Sequence, residues 1–323
     1  MKAIRTHVRA GPEALVYEDA PLPKISQGQA LVKVHAAGIT PTEFTWNSTF
    51  TTSDGRERLP TIPGFELSGT VQEVASGVSG LSVCDQVYGL LNFWRDGAAA
   101  EFAAVQANDL ALKPRSLDHL HAAAVPLSGL TAWQALFDHA RLSAGDQVLI
   151  HGAAGGVGSW AVQLAHWRGA HVIGTASKSN HTFLRELGAD EVLDYTATRF
   201  EDNVRDVDVV LDTVGGDTLQ RSWGILRKGG VLVTIVGDAP AEIAEKFGVR
   251  GVSMLVQPSR DQLNQIGQLI DGGTVRPIVQ EVFPLARARE AYELGLRGHN
   301  RGKLVLQVSE EQKPTHQKNP GAE

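Results

Sequence analysis

The chain has 323 residues, with 36 acidic against 30 basic side chains and a formal charge of −6, which argues against a polyanion-binding surface and gives no reason to expect a nucleic-acid partner. Hydrophobic residues at 42% and charged residues at 20% exclude a disordered chain. A single cysteine, Cys84, excludes an intrachain disulfide and a multi-cysteine zinc site; with a charged start, Met1-Lys2-Ala3-Ile4-Arg5, and no apolar run of roughly 18 residues, the expectation is a cytoplasmic chain without signal peptide or membrane span.

From the first residue to about 114 the chain reads as short β-type runs (29–36, 69–74, 85–89, 100–105) separated by glycine and proline, the texture of a small β barrel or sandwich. Near residue 117 it changes. Residues 119–130 and 131–139 are rich in alanine and leucine and predict two helices. Strand and helix then alternate: strand 147–152, helix 157–168, strand 170–175, helix 181–187, extended 191–194, strand 207–213, helix 218–226, strand 231–236 and a last long helix at 261–271. Such alternation means βαβ units and a parallel sheet with right-handed crossovers. Residues 279–283 and 303–308 return to strand character and are expected to rejoin the N-terminal part. The polar stretch 309–323 is expected to be a disordered tail.

The strongest local signal is a buried strand running into glycines and a helix, Val148-Leu149-Ile150-His151-Gly152-Ala153-Ala154-Gly155-Gly156-Val157-Gly158. Backbone N–H groups at such a helix start face an anion, and glycine lets the backbone approach a pyrophosphate. The first glycine of G-x-G-x-x-G is Ala153 here, so a plain tight turn is the competing account. An NAD site would place Asp or Glu at the end of the second strand to accept from the ribose 2′-hydroxyl. That end is Gly174-Thr175-Ala176-Ser177-Lys178-Ser179. Ser177 and Lys178 would favour a 2′-phosphate, so NADPH is expected over NADH; a merely solvated lysine is the alternative.

Zinc chemistry needs about three protein ligands. No H-E-x-x-H pair occurs, His119 and His121 diverge on a helix, and Cys84 suits a turn, so no metal is expected.

Taken together, Ala36-Ala37-Gly38-Ile39-Thr40-Pro41-Thr42-Glu43, Ile62-Pro63-Gly64-Phe65-Glu66, Ala123-Ala124-Val125-Pro126, Leu187-Gly188-Ala189-Asp190, Asp208-Val209-Val210-Leu211-Asp212-Thr213-Val214-Gly215-Gly216 and Gly302-Lys303-Leu304-Val305 carry a family likeness. Over residues 1 to about 308 the chain resembles the medium-chain dehydrogenase/reductase superfamily, specifically its zinc-independent quinone oxidoreductase (zeta-crystallin-like) branch. The resemblance implies an α/β protein: a GroES-like β-barrel catalytic domain from residues 1–120 together with 275–308, and a Rossmann doubly wound parallel sheet from 121–274. It implies hydride transfer from NADPH to a quinone or to the C=C of an α,β-unsaturated carbonyl, and a homodimer formed through an edge strand near 249–256. Thr40 and Phe65 stand where the zinc alcohol dehydrogenases of the superfamily carry cysteine and histidine ligands.

The same resemblance points to site residues. Thr40, where asparagine is frequent, would be a polar group beside the substrate, or else a cap on the Pro41 turn. Thr131, at a helix start, would lie near the nicotinamide or be an ordinary N-cap. Tyr195 would contact the adenosine phosphate or be a surface tyrosine, Val214 would border the cofactor, and Gly237 would leave it room. Phe44, Trp46, Phe93 and Trp94 could form a flat wall for a planar ring, or belong to the core. Glu43 and Glu66 read as buried acids in structural salt bridges. The polar loop Thr51–Arg58 departs from the branch, which keeps two alternatives open: a pathway-specific enone reductase and a low-turnover NADPH-binding regulator. Without a Lewis acid, developing negative charge must be met by hydrogen-bond donors, and a conjugated acceptor spreads that charge over several atoms.

Overall fold

The computed structural model describes residues 1–309, so the expected tail, apart from Ser309, lies outside the described residues. The chain opens with an antiparallel ribbon, β1 (Lys2–Thr6) against β2 (Leu15–Asp19). Strand β3 (Gln29–Gly38) follows, with every residue but Lys33 buried. A strand so covered needs partners on both edges. It pairs antiparallel with β4 (Glu66–Val74) on one side and with β6 (Phe102–Gln106) on the other; β5 (Gln86–Leu90) and β7 (Leu110–Leu112) extend the sheet beyond β4. Between β3 and β4 lie a 3-10 turn, Pro41–Thr45, and one helical turn, α1 (Asn47–Phe50).

The helical stretch after β7 divides differently from the sequence expectation. Helix α2 (His119–Ala122) is short, α3 (Pro126–Trp133) begins at a proline, and a wider π-type turn, Gln134–His139, continues it. Proline cannot donate within a helix but suits its first turn, so the boundary falls at Pro126 rather than at Thr131.

Then comes the alternating part: β8 (Gln147–Ile150), α4 (Gly156–Arg168), β9 (His171–Ala176), α5 (His181–Glu186), β10 (Glu191–Asp194), β11 (Val207–Asp212), α6 (Gly216–Ser222), β12 (Leu226–Thr234), α7 (Ala241–Phe247), β13 (Arg250–Ser253) and α8 (Arg260–Asp271). The six strands are parallel in the order β10-β9-β8-β11-β12-β13. Helices cover both faces, which is why β8 is apolar and buried from Val148 to Ile150. Val148 and Ile150 pack with Trp160, Ala161 and Leu164 of α4, whereas Leu149 packs with Leu219 and Trp223 on the other face. The strand order reverses between β8 and β11, and ligands of such sheets bind in the crevice beyond the strand ends at that reversal.

The chain then returns to the first sheet. β14 (Val279–Pro284) precedes α9 (Ala288–Leu296) and runs parallel to β15 (Lys303–Gln307), which pairs antiparallel with β3 through Val305 opposite Gly38. The crossing is pinned to the second sheet as well, because the Gly302 N–H donates to the Ala154 carbonyl at 2.9 Å.

Candidate active site

A cleft of about 910 Å3 runs across the C-terminal ends of β8, β9 and β11. Its opposite wall is the segment after β3, residues 39–42, and the return from α9 to β15.

At one end the backbone makes the surface. Gly152 has φ +65, and a Cβ there would collide with the Thr213 hydroxyl, which donates to the His151 carbonyl at 2.8 Å. A Cβ on Gly158 would come within 2.7 Å of the Ala153 Cα. Ala153 itself is fully buried; its methyl faces Gly174 of β9, so alanine is accommodated at the motif's first position because the strand opposite has no side chain. Gly155 caps α4 without any side-chain bond, and the first-turn N–H groups of Gly156, Val157 and Gly158 have no intrahelical acceptor. Gly152, Ala154, Gly155, Gly156, Val157 and Gly158 all line the cleft. This cradle fits a dinucleotide pyrophosphate in shape and polarity.

Towards the ribose end, Ser177, Asn180 and Tyr195 line the cleft, and no carboxylate follows β9 before residue 186. Lys178 is exposed and lies outside its lining. Arg199 and Arg221 line the cleft further along, and the cation held beside Asn180 is Arg301, itself outside that lining. It donates from Nε and Nη2 to Asn180 Oδ1 at 3.1 and 2.9 Å and lies 4.6 Å over the Phe183 ring. Beside it a side cavity of about 710 Å3 is bordered by Ser177, Ser179, Asn180, His299 and Arg301. No local motif could reveal Arg301, because 121 residues of chain separate it from Asn180. Tyr195 is half exposed, with its hydroxyl 3.4 Å from His299 Nδ1. Val214 lines the cleft and Gly237 does not.

Behind the glycine turn, His151 is buried between Thr175 Oγ1 (3.2 Å) and Ser222 Oγ (3.0 Å), with its ring against Phe200. Burial pushes its imidazole down to about 4. It is therefore neutral near pH 7 and holds the turn without offering an acidic proton.

The other end is made by side chains. Thr40 lines the cleft and occupies the N-cap position of the turn Pro41–Thr45, but its hydroxyl makes no capping bond. Lys303 Nζ lies 3.3 Å from Thr40 Oγ1, 2.6 Å from the Ile39 carbonyl and 2.5 Å from Glu66 Oε1. Glu66 Oε2 accepts from the Leu127 N–H at 2.8 Å. The salt bridge expected for Glu66 thus exists, with Lys303. For Glu43 none exists among the described residues: this carboxyl accepts from the Gly64 N–H at 2.9 Å and from the Tyr292 hydroxyl, and burial pushes it up to about 7.

Other residues picked out from the sequence are elsewhere. Thr131 lies inside α3, buried, and its hydroxyl donates to the Leu127 carbonyl at 2.6 Å. Trp46, Phe65 and Phe93 pack on one another with ring centroids 5.2 to 6.0 Å apart, and Phe44 packs on Tyr292 at 5.0 Å. Trp94 is 39% exposed. None of these aromatics lines the cleft, so the expected flat wall is instead mostly core packing, which satisfies large rings with one another. Among the described residues no group of three or more His, Cys, Asp or Glu side chains could hold a metal ion, and no helix is long and apolar enough to cross a membrane.

Comparison with known proteins agrees with this geometry. An alcohol dehydrogenase GroES-like domain model matches residues 26–115, and a zinc-binding dehydrogenase model matches residues 187–306. The NAD(P)H oxidoreductase RTN4IP1, mitochondrial, of Danio rerio is 33% identical over 92% of this chain and 88% of its own length. The 2-methylene-furan-3-one reductase of Solanum lycopersicum is 33% identical over 88% of this chain and 73% of its own. Among solved structures, the quinone oxidoreductase from Coxiella burnetii superposes with a TM-score of 0.88 at 35% identity, covering 96% of this chain and 99% of its own. The Escherichia coli quinone oxidoreductase complexed with NADPH gives 0.86 at 27%, covering 95% and 100%. The mitochondrial designation of relatives such as the Danio rerio protein corrects the cytoplasmic location expected from the lone cysteine and the charged start. A reducing interior is all that a lone cysteine signals, and more than one compartment provides it.

Proposed function

The chain belongs to the medium-chain dehydrogenase/reductase superfamily, in its zinc-independent quinone oxidoreductase-like branch, and on that premise we propose that it is an NADPH-dependent reductase of quinones or of the C=C bond of α,β-unsaturated carbonyls. The observation that carries this is a single cleft with an anion cradle at one end and an uncapped hydroxyl, Thr40, at the other. When bound, the reduced nicotinamide supplies the hydride.

The chain's own residues do the rest. The first-turn amides of α4 hold the pyrophosphate. Ser177, Asn180 and Arg301, at a strand end without a carboxylate, suit a 2′-phosphate, which favours NADPH over NADH. Thr40 donates a hydrogen bond to the acceptor oxygen as negative charge grows there, and solvent water completes the protonation. A hydroxyl is a modest donor, so the reading favours acceptors that delocalise charge over isolated ketones.

Titrating the purified chain into NADPH and following nucleotide fluorescence, then oxidation with a panel of quinones and enones, tests the proposal. Turnover of several quinones supports the first substrate class. Turnover of one bulky enone alone supports the second, a reading favoured by the relative named 2-methylene-furan-3-one reductase. Tight binding without oxidation by any acceptor sinks the enzymatic reading in favour of a nucleotide-responsive regulator. Self-association through β13, one edge of the six-stranded sheet, belongs to the same proposal and is checked by solution mass.

A further inference from the structure

Lys303 has no counterpart in the chemistry described so far, yet it is 6% exposed at the border of the cleft. Its backbone is fixed from both sides: its N–H donates to the Ile278 carbonyl at 2.9 Å, and the preceding Gly302 is tied to Ala154. Its stem passes the start of α4, where a Cβ on Gly156 would come within 3.1 Å of Lys303 Cδ. The side chain thus leaves the nucleotide cradle and ends at the acceptor end.

An ammonium only donates, and two of its N–H groups go to the Ile39 carbonyl and Thr40 Oγ1, while Glu66 Oε1 faces it as an ion-pair partner without hydrogen-bond geometry. Thr40 Oγ1 is therefore an acceptor towards Lys303 and must direct its own proton elsewhere. Among the described residues that proton has no acceptor. The buried threonines Thr131 and Thr49, by contrast, each donate to a backbone carbonyl at 2.6 Å.

We propose that Lys303 is a positioning residue that, by donating to Thr40 Oγ1, turns the Thr40 O–H into the cleft as a directed donor to the oxygen of a conjugated carbonyl acceptor. This rests on the functional reading above. Glu66 shares the ammonium, so the pair carries no net charge and acts through orientation. A hydroxyl whose oxygen already accepts from a cation is also a stronger donor, an effect that burial increases.

The test uses the full chain and two readouts. The first is quinone turnover with saturating NADPH. The second is binding of 4-nitrophenol, whose phenolate oxygen mimics the charged acceptor and whose absorbance reports ionisation without turnover. Thr40→Val should lower kcat and nitrophenolate affinity about tenfold, with the NADPH Kd unchanged, while Thr40→Ser restores most of both. Lys303→Met alone would leave Glu66 buried without its partner, so the paired variant Lys303→Met with Glu66→Gln is used and its folding verified by melting. It should lose as much as Thr40→Val, and adding Thr40→Val to it should cost little more, because the groups act as a unit. A folded paired variant with wild-type turnover and wild-type nitrophenolate affinity overturns the inference, as do losses that simply multiply. If no acceptor tried supports NADPH oxidation by the wild type, the functional reading falls, and nitrophenolate affinity still decides the role of Lys303.

Discussion

The two ends of the cleft are built by opposite means. The anion cradle at one end is backbone from one contiguous stretch, Gly152 to Gly158, whose shape follows from where side chains are missing. The acceptor end is side chains, and its two central members, Thr40 and Lys303, are 263 residues apart in the chain. A backbone cradle is encoded locally and tolerates little change at a few glycines. A side-chain constellation is encoded by topology, and each member can be altered without destroying the rest.

The largest expected effect breaks the local end. Gly158→Val puts atoms where Ala153 already sits, and NADPH affinity should fall about a hundredfold or more in a fluorescence titration. Retained affinity would show that the turn is not the cradle. Next, Arg301→Ala should raise the KM for NADPH about tenfold and leave that for NADH nearly unchanged, whereas Lys178→Ala should change the NADPH value about threefold or less, as an exposed charge does. The reverse ranking would restore Lys178 as the 2′-phosphate residue.

The smallest effect separates the halves by pH. Burial holds His151 at about 4 and His119 at about 3, both below the unfolded value, so the unfolded chain binds more protons and stability is lost as pH falls from about 6.5 towards 4. Glu43, raised by burial to about 7, has the opposite sign: the folded chain keeps a proton that the unfolded one releases above about 4.5, so its contribution declines as pH rises to 7. Glu43→Gln removes that opposing slope. Thermal melts from pH 4.5 to 6.5 should therefore rise more steeply with pH in the variant than in the wild type; parallel curves would mean that Glu43 does not hold its proton in the fold.

The same contrast explains what could be read in the sequence. The parallel strands and glycine turn were legible because periodicity and glycine spacing are local. Thr40 was legible by resemblance, and its missing cap only by geometry. Lys303 stood in a recognised motif, Gly302-Lys303-Leu304-Val305, but nothing in the motif says that its ammonium meets Glu66. Lys178 drew attention by adjacency to β9, while Arg301 arrives through a distant crossing. Trp46 and Phe93 suggested a ligand wall because aromatics suit planar rings, yet the rings satisfy one another in the core.

Because β15 supplies the lysine, the ribosome finishes β3, β4 and the whole six-stranded sheet before the ammonium exists. A chain halted short of residue 303 contains every residue of the glycine turn, while Thr40 still lacks the ammonium beside it. Biosynthesis thus makes the glycine turn first and the last side chain beside Thr40 much later.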